Sequence, residues 1–133
     1  MLFKPLQYDS GKTKDIAITY GSTVAKGDPL SFTSGYAALA GTGEITAVRF
    51  VAMQGDTITA TGDTVLAVKT FGIEFEATTA ANTAQSQVGA ECNLNATGEV
   101  DNNFATGDIF VITETVGAAA DKLVRGYFLD RVN

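Results

Sequence analysis

Short runs of alternating apolar and polar residues recur along the chain and predict β-strands. Residues 15–20 alternate with period two, and residues 72–77 place Ile73 and Phe75 on one face and Glu74 and Glu76 on the other. Residues 24–40 predict a small hairpin, and residues 123–132 predict a last strand with a bend at Gly126. Strands at this close spacing with glycine-rich turns predict an all-β fold of short antiparallel strands, either a sandwich or a small β-barrel.

A Gly-Asp pattern precedes several of these runs. Ala-x-Gly-Asp occurs at residues 25–28, 60–63 and 105–108, and a looser Gly-Asp copy occupies residues 55–56. Glycine tolerates the positive φ of a tight turn, and aspartate can hydrogen-bond the backbone that follows it. The pattern therefore predicts structural turns. The alternative is that Asp28, Asp63 and Asp108 gather around a metal ion.

Two segments are ambiguous in their local structure. The longest apolar run, residues 45–53, predicts a strand buried on both faces, with a short helix as the alternative. Residues 78–87 are rich in alanine, threonine and glutamine, which favours one or two helical turns on the surface or a plain loop.

The composition indicates one globular domain. The chain has 133 residues, of which 45% are hydrophobic, so a core can form without disulfides. Cys92 is the single cysteine, and it alternates inward with Val88, Ala90 and Leu94 on a predicted strand, as a small buried hydrophobe would. Because histidine is absent, a Cys–His catalytic pair is impossible.

The net charge of −6 argues against a nucleic-acid partner. No apolar run is long enough to span a membrane, and the first residues lack the apolar core of a signal peptide. We therefore expect synthesis in a reducing cytoplasm and no membrane partner.

Residues 1–14 are predicted to be an N-terminal arm, separate from a single β domain at 15–133. Apolar side chains alternate with polar ones, and Pro5 disfavours a central strand. The arm is locally basic, in contrast to the rest of the chain. Either it attaches to a neighbouring subunit or it packs as an edge strand of its own domain.

No residue pattern points to catalysis, so we expect neither an enzyme nor a bound cofactor or metal. Glu74 and Glu76 are the tightest carboxylate pair, which a glycosidase or a calcium site could use, but such a pair more commonly forms the wet face of a strand. Residues 101–103 could offer oxygens to calcium, although turns of this composition are common without metal. The four tyrosines are dispersed in the sequence, so their spacing gives no carbohydrate platform.

Four stretches, residues 23–30, 88–94, 104–108 and 123–128, together with the N-terminal arm, resemble the head decoration (cement) proteins of tailed bacteriophages. The resemblance implies a β-tulip or small β-barrel fold and a homotrimer on the outer surface of the expanded capsid. There it would clamp the major capsid protein and stabilise the virion. It also implies that the arm contacts the capsid, with basic side chains meeting an acidic surface. The arm residues concerned are Leu2, Phe3, Lys4, Leu6, Tyr8, Lys12 and Lys14.

Other functions are compatible with the same sequence. A tail-tube, connector or fibre-base subunit would need a long hairpin, which residues 43–70 could supply. A stand-alone module that binds carbohydrate or calcium is a further alternative, and a carbohydrate module would need a flat aromatic platform. A hydrolase using Glu74 or Glu76 is the last alternative.

Overall fold

The computed structural model describes residues 1–40, 47–103 and 107–129. Over these ranges the chain is all-β, as predicted, and the regular helical structure is limited to three short 3₁₀ turns. The strands are β1 (Phe3–Pro5), β2 (Thr13–Ala17), β3 (Thr23–Val24), β4 (Pro29–Thr33), β5 (Tyr36–Leu39), β6 (Phe50–Ala52), β7 (Asp56–Thr57), β8 (Thr64–Lys69), β9 (Glu74–Thr78), β10 (Glu91–Cys92), β11 (Phe110–Val116) and β12 (Leu123–Phe128).

The strands form three antiparallel sheets. Sheet 1 has the order β1-β9-β12-β11-β10, sheet 2 has the order β2-β8-β6-β4-β5, and sheet 3 pairs β3 with β7. None of the three closes into a barrel in the part of the chain that is described. Of the two predicted architectures, the layered one therefore corresponds to the structure.

The main core lies between sheets 1 and 2. Sheet 1 contributes four phenylalanines, Phe3, Phe75, Phe110 and Phe128, and sheet 2 contributes Val51 and Val68, which face each other across β6 and β8. The rings of Phe3 and Phe128 are 4.7 Å apart between centroids. A cluster of aromatic rings buries a large apolar area, which stabilises a chain of this size without covalent crosslinks.

A second core covers the opposite face of sheet 2. Because successive side chains of a strand alternate in direction, Ala52 and Ala67 point away from the main core. They pack with Ile16 and Val65 of sheet 2 and with Val24 and Ile58, the first of which belongs to sheet 3. Strands β6 and β8 in the middle of sheet 2 thus place side chains in a core on each face.

Two copies of the Ala-x-Gly-Asp pattern form the predicted turns. In both, the aspartate N–H donates to the alanine carbonyl, at 3.1 Å for Asp28 and 3.3 Å for Asp63. The glycines, Gly27 and Gly62, have φ of 93° and 92°, which glycine adopts without steric cost. Both turns open into strands, β4 and β8. The turn prediction is confirmed for these copies, while residues 104–106 of the third copy lie outside the described residues.

The two segments with ambiguous predictions, residues 45–53 and 78–87, have different structures. Within the long apolar run, only Phe50–Ala52 forms a strand, and residues 45 and 46 lie outside the described ranges. The predicted helical segment contains one 3₁₀ turn, Gln85–Gln87, and is otherwise irregular. Since β6 pairs with β8 while β7 pairs with β3, the described residues 47–70 do not form one long hairpin.

The N-terminal segment is part of sheet 1 in the single chain. Phe3–Pro5 pairs with β9 as an edge strand, and the Phe3 side chain is fully buried in the main core. Pro5 lies at the end of this short strand, where the missing N–H costs little. Strand β2, Thr13–Ala17, runs across the predicted boundary at residue 14. Any contact of this segment with a neighbouring subunit stays a prediction.

Candidate functional site

The seven predicted arm residues do not share one environment. Phe3 is buried and Leu2 packs against the main core, so both are used by the chain's own fold. Leu6 is half-buried, and its N–H donates to the Glu74 carbonyl at 3.0 Å. Lys4, Tyr8, Lys12 and Lys14 are exposed. Only the exposed members can contact a partner without unpacking the core.

The Glu74 and Glu76 pair lies on the outer face of sheet 1. Glu76 is in register with Lys4 on β1 and with Arg125 on β12, and Arg125 is in register with Glu114 on β11. The row therefore alternates in charge, and Arg125 Nη1 lies 3.7 Å from Glu114 Oε2. Opposite charges directly across strands stabilise a sheet. Glu76 is therefore part of this charge row and stabilises the sheet, whereas Glu74 is in register with Tyr127.

The carboxylates do not converge on a metal-binding arrangement in the described ranges. No group of three or more Asp, Glu, His or Cys side chains there could hold an ion. Asp101 instead accepts from the Asn103 N–H at 3.3 Å, and the buried Asn102 side chain bonds the backbone of Ala81 on both its oxygen and its nitrogen. Residues 101–103 therefore include a turn that is hydrogen-bonded to the neighbouring loop at Ala81.

Cys92 is buried, as its alternation predicted, with a side chain that is 1% exposed. Leu94 is buried with it, Ala90 is half-buried, and Val88 is exposed, so the inward alternation fails at Val88. Burial, and secondarily the charge of Asp101, raises the pKa of the Cys92 thiol to about 11. A thiol with such a pKa is protonated at neutral pH and is a poor nucleophile or metal ligand.

Of the large apolar side chains in the described ranges, Phe71 is the most exposed, and it lies at the turn that connects sheet 2 to sheet 1. The Ile73 N–H donates to the Thr70 carbonyl at 3.3 Å, and Gly72 has a φ of 73°, which closes a tight turn with Phe71 at its tip. Phe71 is 73% exposed. The turn presents an aromatic ring to solvent instead of burying it.

Thr70 fixes this turn to the neighbouring chain segment. Its hydroxyl donates to the Val48 carbonyl at 2.7 Å, and its N–H donates to the Arg49 carbonyl at 3.0 Å. Thr70 is itself buried. The ring at the tip is therefore held on an ordered support, which reduces the entropy that a binding event must overcome.

Phe71 belongs to a larger apolar surface, the phenylalanine patch, which we define as Phe32, Phe50 and Phe71. Phe32 is exposed and contacts Phe50 edge to face, with ring centroids 6.0 Å apart. Phe50 and Phe71 line a shared open cavity of about 190 Å³. The other residues that line the cavity are Val48, Arg49, Lys69, Thr70, Phe128 and Leu129.

Two cationic side chains belong to this cavity. Lys69 is in register with Phe50 across β8 and β6, and both Lys69 and Arg49 are exposed. Aromatic anchors with an arginine nearby are typical of the centre of a protein–protein interface. The patch can therefore bind an apolar projection whose surroundings are acidic.

The sequence contained a signal for this surface that the strand pattern did not use. Phe71 stands directly before Gly72, the first residue of the predicted strand at 72–77. Turns lie at the surface, so a large aromatic residue at such a position is exposed. The strand prediction left this aromatic residue unassigned.

Comparison with known proteins gave no matching family, no matching curated protein and no matching solved structure. Among the described residues, no helix is long and apolar enough to cross a membrane.

Proposed function

We propose that this chain is a structural virion protein that binds the outside of the expanded capsid of a tailed bacteriophage. It stabilises the shell by clamping neighbouring subunits of the major capsid protein, with no catalytic role. The observation that carries a binding role is the phenylalanine patch with its exposed Phe71. The capsid as partner follows from the resemblance of residues 23–30, 88–94, 104–108 and 123–128 to decoration proteins.

The energetics of the patch favour a protein partner. Fully burying one phenylalanine side chain contributes about 1.5–3 kcal/mol. Three phenylalanines in contact or around one cavity provide the apolar centre that a hot spot needs. Lys69 at the cavity then favours an acidic surround on the capsid subunit.

The N-terminal segment contributes through its exposed side chains. Tyr8, Lys12 and Lys14 remain accessible while Phe3 holds the segment to the core. The basic residues would contact acidic capsid surface, as the cationic side chain at the cavity of the phenylalanine patch would. The short edge strand β1, with Pro5 at its end, leaves little room for a long added strand.

Stabilisation would arise by linkage. A protein that binds only the expanded shell lowers the free energy of that state relative to every state it does not bind. Many weakly bound copies on one particle act together, since a trimer that bridges subunits gains from a high effective concentration.

Co-sedimentation with expanded capsids assembled without this protein tests the proposal. The wild-type chain should bind saturably. Phe71→Ser should weaken binding at least about tenfold, equivalent to about 1.4 kcal/mol. Val88→Ser is the matched control, because Val88 is also exposed and apolar but does not line the cavity.

The contribution of the N-terminal segment is best tested by charge removal. A truncation to residue 15 would delete β1 and the buried Phe3, so lost binding could reflect lost folding. Lys12→Gln with Lys14→Gln leaves the buried residues in place and should weaken binding most at low salt. Absence of binding by the folded wild-type chain would contradict the proposal.

A further inference from the structure

Three tight turns meet at one end of sheet 2 and enclose a shallow cleft. The cleft has a volume of about 280 Å³ and is lined by Thr19, Tyr20, Thr33, Tyr36 and Thr61. It shares no lining residue with the cavity of the phenylalanine patch. The turns span residues 19–22, 33–36 and 60–63, so the cleft collects residues that are far apart in the sequence.

Each turn places its side chain by a defined backbone conformation. Gly21 has a φ of 83°, and the Ser22 N–H donates to the Thr19 carbonyl at 3.1 Å, which leaves Tyr20 at the tip and 66% exposed. Ser34 and Gly35 both have positive φ, as a two-residue hairpin turn requires, and Thr33 faces Tyr36 across this hairpin.

The turns are also fastened to one another. The Thr19 N–H donates to the Ala37 carbonyl at 2.9 Å, and the Ile18 N–H donates to the Asp63 carbonyl at 3.0 Å. Gly21 and Ile58 are joined by an N–H to carbonyl bond of 3.1 Å. The cleft is therefore formed by the fold before any ligand binds, which lowers the cost of binding.

The lining residues are two tyrosines and three threonines, and most of the surface that they present to the cleft is apolar. Both tyrosine rings are exposed, and none of the five hydroxyls has a hydrogen-bond partner within the described part of the chain. Among the described residues, no charged side chain lines the cleft. Small-molecule sites commonly show this composition, in which apolar faces give contact area and a few polar groups fix the orientation.

We propose that this cleft binds a neutral saccharide. The C–H face of a sugar ring packs on an aromatic ring, while its equatorial hydroxyls exchange hydrogen bonds with groups that both donate and accept. Threonine and tyrosine hydroxyls are such groups. An anionic ligand finds no cation in the lining, and the chain's net charge of −6 opposes it.

This inference does not depend on the proposed capsid role, because the two surfaces have separate linings. A chain can bind capsids through the phenylalanine patch and saccharides through the cleft. The carbohydrate alternative raised by the sequence thus has a defined location, formed by residues whose spacing gave no indication of it.

An NMR titration of the ¹⁵N-labelled full chain tests the proposal. The probes are glucose, galactose, mannose, N-acetylglucosamine and short oligomers of each, with glucuronic acid as the anionic comparison. At least one neutral probe should give saturable shifts that centre on the amides of residues 19–22, 33–36 and 60–63. Glucuronic acid should bind more weakly than glucose.

Variants then locate the site. Tyr20→Ala and Tyr36→Ala should each weaken the binding at least about tenfold, because each removes one stacking face. Thr61→Val keeps the shape and removes one hydroxyl, so it should cause a smaller loss. Tyr127→Ala is the matched control, since Tyr127 is similarly exposed but lies on the outer face of sheet 1.

Two results would overturn the inference. One is the absence of saturable shifts with every neutral probe at concentrations that saturate weak lectins. The other is unchanged binding in the Tyr20→Ala, Tyr36→Ala double variant. Capsid co-sedimentation of that double variant should match the wild-type chain, which separates failure of this site from failure of the capsid proposal.

Discussion

Phe3 and Phe71 show that the fold uses phenylalanine in two opposite ways. Phe3 is fully buried against three other rings, with centroid distances of 6.4 Å to Phe75, 5.5 Å to Phe110 and 4.7 Å to Phe128. Phe71 stands at a turn tip and is 73% exposed. The first therefore contributes to stability, and the second is available for binding.

Phe3→Ala should lower the free energy of unfolding by about 3–5 kcal/mol, since it removes a ring from a packed aromatic cluster. Phe71→Ala should change it by no more than about 0.5 kcal/mol. Urea denaturation of both variants measures the difference. A loss of less than about 1 kcal/mol for Phe3→Ala would show that residues 1–5 do not pack as described.

Asp28 is a buried carboxyl within the first Gly-Asp turn. Burial raises its pKa above 3.8, while the hydrogen bond from the Ala25 N–H, 2.9 Å long, and the positive N-terminus act in the opposite direction. At pH values between 3.8, the unshifted pKa, and the higher folded-state pKa of Asp28, the folded chain binds more protons than the unfolded chain. The free energy of unfolding therefore falls as the pH rises through this window.

Asp28→Asn should remove that fall, because the amide oxygen can still accept from Ala25 but does not titrate. The stability of Asp28→Asn relative to wild type should increase as the pH rises from 3.8 through the raised folded-state pKa of Asp28. Chemical denaturation across this range, with Asp63→Asn as a control for charge removal in the second Gly-Asp turn, gives the measurement. A difference between Asp28→Asn and wild type that does not vary with pH would contradict the assignment.

At the scale of the elements, β12 is the centre of sheet 1, and Gly126 is its tightest point. Gly126 is in register with Phe75 on one side and Ile112 on the other, next to a bulge at Thr113. A Cβ atom at Gly126 would collide with the Val111 carbonyl oxygen and meet the Phe110 ring at 2.7 Å. The close approach of β11 to β12 therefore requires glycine.

Gly126→Ala should cost about 1–3 kcal/mol or more, since the backbone of β11 must move to admit the methyl group. Gly11→Ala, at an exposed glycine whose added Cβ would have its nearest contact with the Asp9 side chain, should cost no more than about 0.5 kcal/mol. Amide hydrogen exchange in β11 and β12 should accelerate in the first variant only. Wild-type protection in Gly126→Ala would contradict the close approach.

The local patterns of the sequence predicted the elements better than their assembly. Residues 15–17 and 74–77, within the two alternating runs, form strands, and two copies of the Ala-x-Gly-Asp pattern form turns, because each depends on neighbouring residues only. Gly126 was predicted to bend the last strand. In the structure, it instead permits the close approach of a neighbouring strand, which only the pairing order reveals.

The candidate surfaces could not be derived from spacing. Tyr20 and Tyr36 lie on different turns that meet only when residues 18 and 37 pair as an isolated bridge. The phenylalanine patch likewise joins residues of three segments across sheet 2. Conversely, Leu2 and Phe3, to which the resemblance gave a capsid contact, pack in the core of this chain, as the edge-strand alternative for the arm predicted.

At the scale of the whole molecule, the surface divides into regions of different character. The outer face of sheet 1 carries a row of alternating charge, the turn at Phe71 carries an aromatic patch with two cations, and the tyrosine cleft is uncharged. The proposed capsid role uses the aromatic patch, and the proposed saccharide site uses the cleft. The homotrimer on the capsid stays a prediction of the resemblance.

The thermal stability of the capsid itself tests the proposed function most directly. Expanded capsids assembled without this protein are heated in a calorimeter at increasing concentrations of the wild-type chain or of Phe71→Ser. We expect the transition temperature of the capsid to rise with wild-type concentration and then level off at saturation, as linkage requires. Phe71→Ser should need a higher concentration for the same rise in temperature. A transition temperature of the capsid that stays unchanged at a saturating concentration of the wild-type chain would contradict the proposed function.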